Sequence, residues 1–194
     1  MAETINWAAL LLTIMASVGL LLSRDWHWRI GFLATQYLCA FFMLQTHWPI
    51  SMAASKLVAG WMACVVLGIA RLNSEKRGEE DLSIPQGRLF HLLISFIILV
   101  VTFAVSLRVT TWLGISLPIA WGSLVLMGLG LLQLGITLDP FRVVIGLLTI
   151  LCGFEILYAT VESSILVTAL LAVVNLGLAL TGAFFLISVE EERI

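Results

Sequence analysis

Val143-Val144-Ile145-Gly146-Leu147-Leu148-Thr149-Ile150-Leu151-Cys152-Gly153-Phe154-Glu155-Ile156-Leu157-Tyr158 is an apolar run whose only charge is Glu155. Extended back to Phe141, it approaches the roughly 20 residues that a helix needs to cross the hydrocarbon core of a bilayer. An ionisable side chain at that depth costs several kcal/mol, so such residues are rare and usually functional. Outside this run the sequence offers one comparable residue. It is Lys56, in Ser51-Met52-Ala53-Ala54-Ser55-Lys56-Leu57-Val58-Ala59-Gly60-Trp61-Met62. One buried acid and one buried base point to proton or ion handling within a membrane.

The rest of the chain agrees with a membrane setting. Its 194 residues are 61% hydrophobic and only 11% charged, with mean hydropathy +1.09; soluble domains carry roughly 25% charged residues. The net charge of -2 is informative about little, because the charges fall between apolar stretches. No basic tract suggests nucleic acid as a partner. Cys39, Cys64 and Cys152 lie in apolar runs without paired spacing and read as small packing residues. The first apolar stretch follows Met1-Ala2-Glu3-Thr4, without the positive n-region of a signal peptide, and reads as a retained helix.

Seven spans are predicted, over 5–23, 30–48, 52–70, 89–107, 119–135, 141–158 and 165–187, giving an all-α membrane protein. Charge and interfacial indoles in Arg24-Asp25-Trp26-His27-Trp28-Arg29 separate the first two. Thr137-Leu138-Asp139-Pro140 reads as a tight turn with proline opening the next helix. Residues 71–88 form the long polar loop. The implied organisation is an N-terminal three-helix unit over 1–70, that loop, a connecting helix over 89–107 and a C-terminal three-helix unit over 108–194.

Arg24, Arg29, Arg71, Lys76, Arg77, Arg88, Arg142 and Arg193 fall on one side of a seven-span chain, and only Arg108 on the other. Cytoplasmic loops are enriched in lysine and arginine, so the N-terminus is expected outside and the C-terminus in the cytoplasm.

A shift of 113 residues aligns Arg29 with Arg142, Leu38 with Leu151, Cys39 with Cys152, Phe41 with Phe154, Leu44 with Leu157, Leu57 with Leu170 and Ala59 with Ala172. Duplication into two parallel three-helix repeats joined by one extra helix and coincidence among apolar residues both explain this. Under the shift Phe42 stands for Glu155, and Ala169 for Lys56.

Lys56 lies seven residues past Pro49 and Glu155 six before Val161, each roughly 9–11 Å from the outer ends of their helices. Equal depth allows the two to pair; the alternative for Lys56 is snorkelling to the interface. Burial and a nearby cation pull the ionisation of a carboxyl in opposite directions, which suits a group that changes protonation. Asn175, about 15 Å into the seventh helix, is placed to hold a water on a proton path or to bond a neighbouring helix. Gln36, Tyr37 and Gln133 read as interhelical hydrogen-bonding residues, and Glu162 as a solvated boundary residue. His27, His47 and His91 sit at span boundaries, so no haem ligand pair is expected, and no cofactor or metal site is read. Trp7, Trp26, Trp28, Trp48 and Trp112 near span ends fit aromatic belts.

Gly153-Phe154-Glu155-Ile156-Leu157 and the following helix, Leu171 to Leu180, resemble the K subunit of respiratory complex I and its relatives in cation/proton antiporters. That family often has a second membrane glutamate where this chain has Asn175. Over its full length, with Arg29 before the second helix, Lys56 in the third and Glu155 late in the chain, the sequence is similar to component E of hydrogenase-4. The resemblance implies a subunit of a prokaryotic inner-membrane oxidoreductase complex that moves protons or ions, with antiporter-like subunits as partners. Redox chemistry would then reside in other chains, with Glu155, Lys56 and Asn175 on the proton path. A stand-alone small transporter or a non-pumping scaffold subunit is the other reading of the same residues.

Overall fold

In the computed structural model, residues 2–23, 25–46, 48–75, 87–137 and 139–191 are described, and they form seven helices with no strand among them. These are α1 (Ala2–Leu22), α2 (Trp26–Leu44), α3 (Ile50–Glu75), α4 (Arg88–Leu113), α5 (Leu117–Ile136), α6 (Pro140–Val161) and α7 (Ile165–Glu191). The chain is an all-helical membrane protein: six of the helices are long and apolar enough to cross a bilayer by length and composition. The exception is α2, which is short and carries Arg29, Gln36 and Tyr37, all buried. It packs against α1, α3 and α6, so protein surrounds these polar side chains.

The helix ends follow local chemistry. Asp139 caps α6, its Oδ1 accepting from the Phe141 amide at 3.2 Å, and Pro140 supplies the first turn. Pro118 opens α5 in the same manner. Gly114, at φ +66°, ends α4 in the left-handed conformation and donates its amide to the Thr110 carbonyl. The α4 helix thus runs past the expected end at residue 107 and takes in Arg108. The α2 helix starts and stops four residues earlier than its apolar stretch suggests. Trp26-His27-Trp28-Arg29 forms its first turn, and the proline at 49 disfavours helical backbone at Trp48. Most of the expected polar loop, residues 76–86, lies outside the described residues.

Successive helices alternate in direction, which contacts between their ends establish. Leu20, Arg29, His91, Gln133 and Arg142, from the last turns of α1 and α5 and the first turns of α2, α4 and α6, line one recess. The Arg71 guanidinium, near the end of α3, lies 5.6 Å from the Phe141 ring at the start of α6. Val144, one turn further on, meets Gly182 in the second half of α7. We term this end of the bundle the arginine face. At the opposite face the Trp48 indole donates to the Glu162 carbonyl at 3.2 Å.

The α2 and α6 helices therefore run side by side in the same direction. Small residues hold α6 close to α5. A Cβ on Gly130 would fall 3.0 Å from the Gly146 carbonyl oxygen, and one on Gly153 would fall 2.6 Å from that of Ser123. Without a hydrophobic driving force between helices in lipid, such close backbone approach is a principal source of packing energy. The α4 helix packs on α5 and α1 and presents Leu89, Leu93, Phe96 and Trp112 outward.

Candidate functional site

Glu155 and Lys56 meet. The Lys56 ammonium forms a salt bridge with Oε2 of Glu155, and the two side chains are 3% and 1% exposed. These exposures exclude snorkelling for Lys56. The side chain is turned into the bundle from the inner face of α3, six residues from that helix's first residue, roughly 9 Å. Glu155 comes from α6 two residues after Gly153, where that helix lies close on α5.

Two further side chains complete the cluster. Asn175, fully buried on α7, donates from Nδ2 to the other carboxylate oxygen of Glu155 at 3.3 Å. Its own Oδ1 accepts from the Tyr37 hydroxyl at 3.3 Å, and Tyr37 is 1% exposed on α2. The Tyr37 ring also presents its face to the Lys56 ammonium, 5.7 Å from the ring centroid. Four helices thus contribute one charged or polar group each to a closed circuit of Lys56, Glu155, Asn175 and Tyr37.

Room for Tyr37 comes from Gly60 on α3. A Cβ there would lie 2.3 Å from Cδ1 of the Tyr37 ring, a distance no side chain tolerates. Tyr37 belongs to the site although its sequence context, beside Gln36 in an otherwise apolar helix, suggests only a helix contact. The signal that could have found it is Gly60, a glycine one turn from Lys56 on the inner side of α3.

Closer to the arginine face lies a second buried polar cluster. Gln36 donates from Nε2 to the Ser17 hydroxyl at 2.9 Å, and its Oε1 accepts from the Thr149 hydroxyl at 3.2 Å. Ser17 and Thr149 also donate to carbonyls one turn back, on Thr13 and Ile145. Gln36 is the interhelical hydrogen-bonding residue that its sequence suggests, and so is Gln133, which donates to the Arg142 carbonyl at 2.8 Å. Glu162 lies at the opposite face and is exposed.

Chemically, the first cluster can take up one proton, on the Glu155 carboxylate. With Glu155 ionised, the pair with Lys56 is neutral overall. When Glu155 takes a proton, the ammonium keeps the Tyr37 ring face as its remaining partner; such a contact is worth up to about 2 kcal/mol in a desolvated setting. Asn175 has no exchangeable proton suited to relay and serves to orient the carboxyl and the phenol. No cluster of three or more metal-ligating side chains occurs among the described residues.

Comparison with known families, curated proteins and solved structures returned no match. The class that fold and site define is a multi-helix membrane protein with a buried acid–base pair.

Proposed function

We propose that this chain is a membrane subunit of a multi-subunit, proton- or ion-translocating oxidoreductase of the hydrogenase-4 and complex I kind, with Glu155 as its proton-exchanging group. The observation that carries the reading is the Lys56–Glu155 pair, sealed from solvent and held by Asn175 and Tyr37. Placing two charges in a membrane interior costs several kcal/mol per ion before their attraction is counted. A purely structural contact needs no such cost, since apolar packing and small residues already join these helices. The resemblance of Gly153-Phe154-Glu155-Ile156-Leu157 to the K-subunit motif supports the same role.

In this role Glu155 accepts and releases one proton per cycle, and Lys56 sets the electrostatic cost of doing so. Antiporter-like subunits would lie alongside, and the outward apolar faces of α4 and α7 meet them or lipid. The bias of lysine and arginine supports a cytoplasmic arginine face, and the resemblance supports a prokaryotic inner membrane.

The reading is tested by purifying the complex from its native membrane and identifying the chains that accompany this one. Large antiporter-like partners are expected, and a chain that purifies alone overturns the assignment. Within the complex, Glu155→Gln keeps shape and hydrogen bonding but removes the titratable group. Proton translocation should fall sharply while assembly survives; full pumping in this variant overturns the role of Glu155.

One observation favours the scaffold reading: every member of the cluster is paired within the chain, as a rigid pin between four helices would be. The same variant separates the two, because loss of a pin lowers stability but leaves full pumping in whatever complex assembles.

A further inference from the structure

Glu155 is the sixteenth residue of α6, about 22 Å along the helix from the arginine face and about 9 Å from the opposite one. The two directions differ in what fills them. Towards the opposite face the buried layer is Leu44, Ala53, Ile156 and Ala159, closed by Trp48 with its indole N–H anchored on Glu162. Among the described residues, the buried polar side chains on that side are Thr168, which donates to the Ser164 carbonyl just before α7, and Asn6 on α1, a helix that packs on α2, α4 and α5 rather than on α6.

Towards the arginine face the polar groups come in steps. A recess of about 20 Å³, room for a single water, opens among Arg29, His91, Gln133, Thr137 and Arg142. Leu20 on its wall is three residues from Ser17, roughly 4.5 Å along α1. Ser17, Gln36 and Thr149 then form the hydrogen-bonded bridge across three helices. From Thr149 to Glu155 is six residues, roughly 9 Å, with Cys152 between them.

We propose that this line is the half-path through which Glu155 exchanges protons with water at the arginine face; it rests on the reading of Glu155 as a proton-exchanging group. The Ser17 and Thr149 hydroxyls each accept one proton and give one up; a water beside Gln36 carries the proton between them, and waters that hydrate the layer around Cys152 carry it on to Glu155 during exchange. Gln36 carries no proton and fixes the orientation of the two hydroxyls. The net event is transfer of one proton from water at the arginine face to the Glu155 carboxylate, which becomes a carboxylic acid; release reverses it. The Trp48 layer keeps the opposite route closed in this conformation.

The test uses the full chain in proteoliposomes with Cys39, Cys64 and Cys152 replaced by alanine. Ser17→Cys and Thr149→Cys are each exposed to silver ion, a thiol reagent close to water in size, added to one side at a time, with Gly87→Cys and Ser163→Cys marking the two faces. Both buried positions should be labelled from the Gly87 side. Labelling from the Ser163 side alone, or from neither, overturns the half-path.

A second measurement does not depend on new thiols: the infrared carboxyl signal of Glu155 after a pH jump on one side. It should follow the arginine face, and Gln36→Leu/Thr149→Val should slow it by roughly tenfold or more, equivalent to about 1.4 kcal/mol on the barrier. A signal that follows the opposite face alone overturns the half-path and leaves Glu155 as the exchanging group. A carboxyl that responds to neither side removes both proposals.

Discussion

Removing one partner of the Lys56–Glu155 pair should be more damaging than removing both. Each side chain is at most 3% exposed, and Glu155 has one further contact, the Asn175 amide at 3.3 Å. Truncating one member of a buried pair typically costs about 3–5 kcal/mol, because an uncompensated charge is left behind; replacing both by apolar groups is often neutral or stabilising. Lys56→Met should therefore destabilise the chain by about 3–5 kcal/mol. Glu155→Leu should cost less, because the orphaned lysine stem can reach towards the interface roughly 9 Å away. The double variant should recover most of the loss, giving a coupling energy of about 2–4 kcal/mol from the same range. The assay is reversible unfolding in mixed micelles with increasing SDS, followed by helical circular dichroism for the four proteins of the cycle. Infrared spectra of the folded Lys56→Met protein should show a protonated carboxyl signal at a pH where the wild type shows carboxylate. Additivity of the two single changes within about 0.5 kcal/mol would refute the coupling, as would identical titration of the Glu155 band with and without Lys56.

Gly60→Ala drives a methyl into the Tyr37 ring and should cost about 1–3 kcal/mol by overpacking, measured in the same unfolding assay; if Tyr37 swings aside without cost, Gly60 is not what places it. Gly128→Leu should similarly loosen the α4–α5 contact, since a Cβ at 128 would already sit 2.9 Å from Ile98 Cγ2; unchanged α4 protection in hydrogen exchange would count against that packing. Gln36→Cys with Thr149→Cys, in the background without native cysteines, should close an intramolecular disulfide on mild oxidation and shift mobility on a gel. Absence of the crosslink would contradict the shared register of α2 and α6. Gly87→Cys and Ser163→Cys should be labelled from opposite sides of the membrane, and labelling from one side would break the alternation of the seven helices.

Depth was legible in the sequence, and lateral placement was not. Counting residues from Pro49 and from Val161 put Lys56 and Glu155 at one level, because rise per residue is fixed in a helix. Which helices are neighbours depends on packing, so only the structure shows that α3 and α6 present these groups to each other. Apolar windows located six spans by composition but displaced α2, since its polar side chains lower the local average while being buried against α1, α3 and α6. Tyr37 was invisible as a site residue for a related reason. Its partner Asn175 is 138 positions away, and nothing local marks it. The bridge of Ser17, Gln36 and Thr149 is equally non-local, with hydroxyls that in sequence look like self-bonded helix residues.

The 113-residue shift bears on why the apolar spans hold a single acid deep within them. Helix starts at 2, 26 and 50, moved by 113, fall at 115, 139 and 163, within two residues of the starts of α5, α6 and α7 at 117, 140 and 165. Gln36 and Thr149, which the shift equates, bond to each other, and Arg29 and Arg142, equated likewise, line one recess. A duplication would produce these coincidences. It would also relate two side-chain links across the bundle, α3 to α6 and α7 to α2. The first carries Lys56 with Glu155; the second has Ala169 and Phe42 at the positions the shift equates with these, and carries Asn175 with Tyr37 elsewhere along the helices. A charged pair at both contacts would double the desolvation cost and place four charges within one bundle. The chain instead keeps one ionic and one neutral contact, and Asn175 joins them by donating to Glu155. Tyr37→Phe isolates that arrangement. It deletes one neutral hydrogen bond, worth about 1 kcal/mol, and leaves Asn175 free to rotate, so the Glu155 carboxyl band should broaden while the stability change stays small. A loss as large as that of Lys56→Met would show that the two contacts act as one unit, with the phenol as much a counter-group to the charge as the ammonium is.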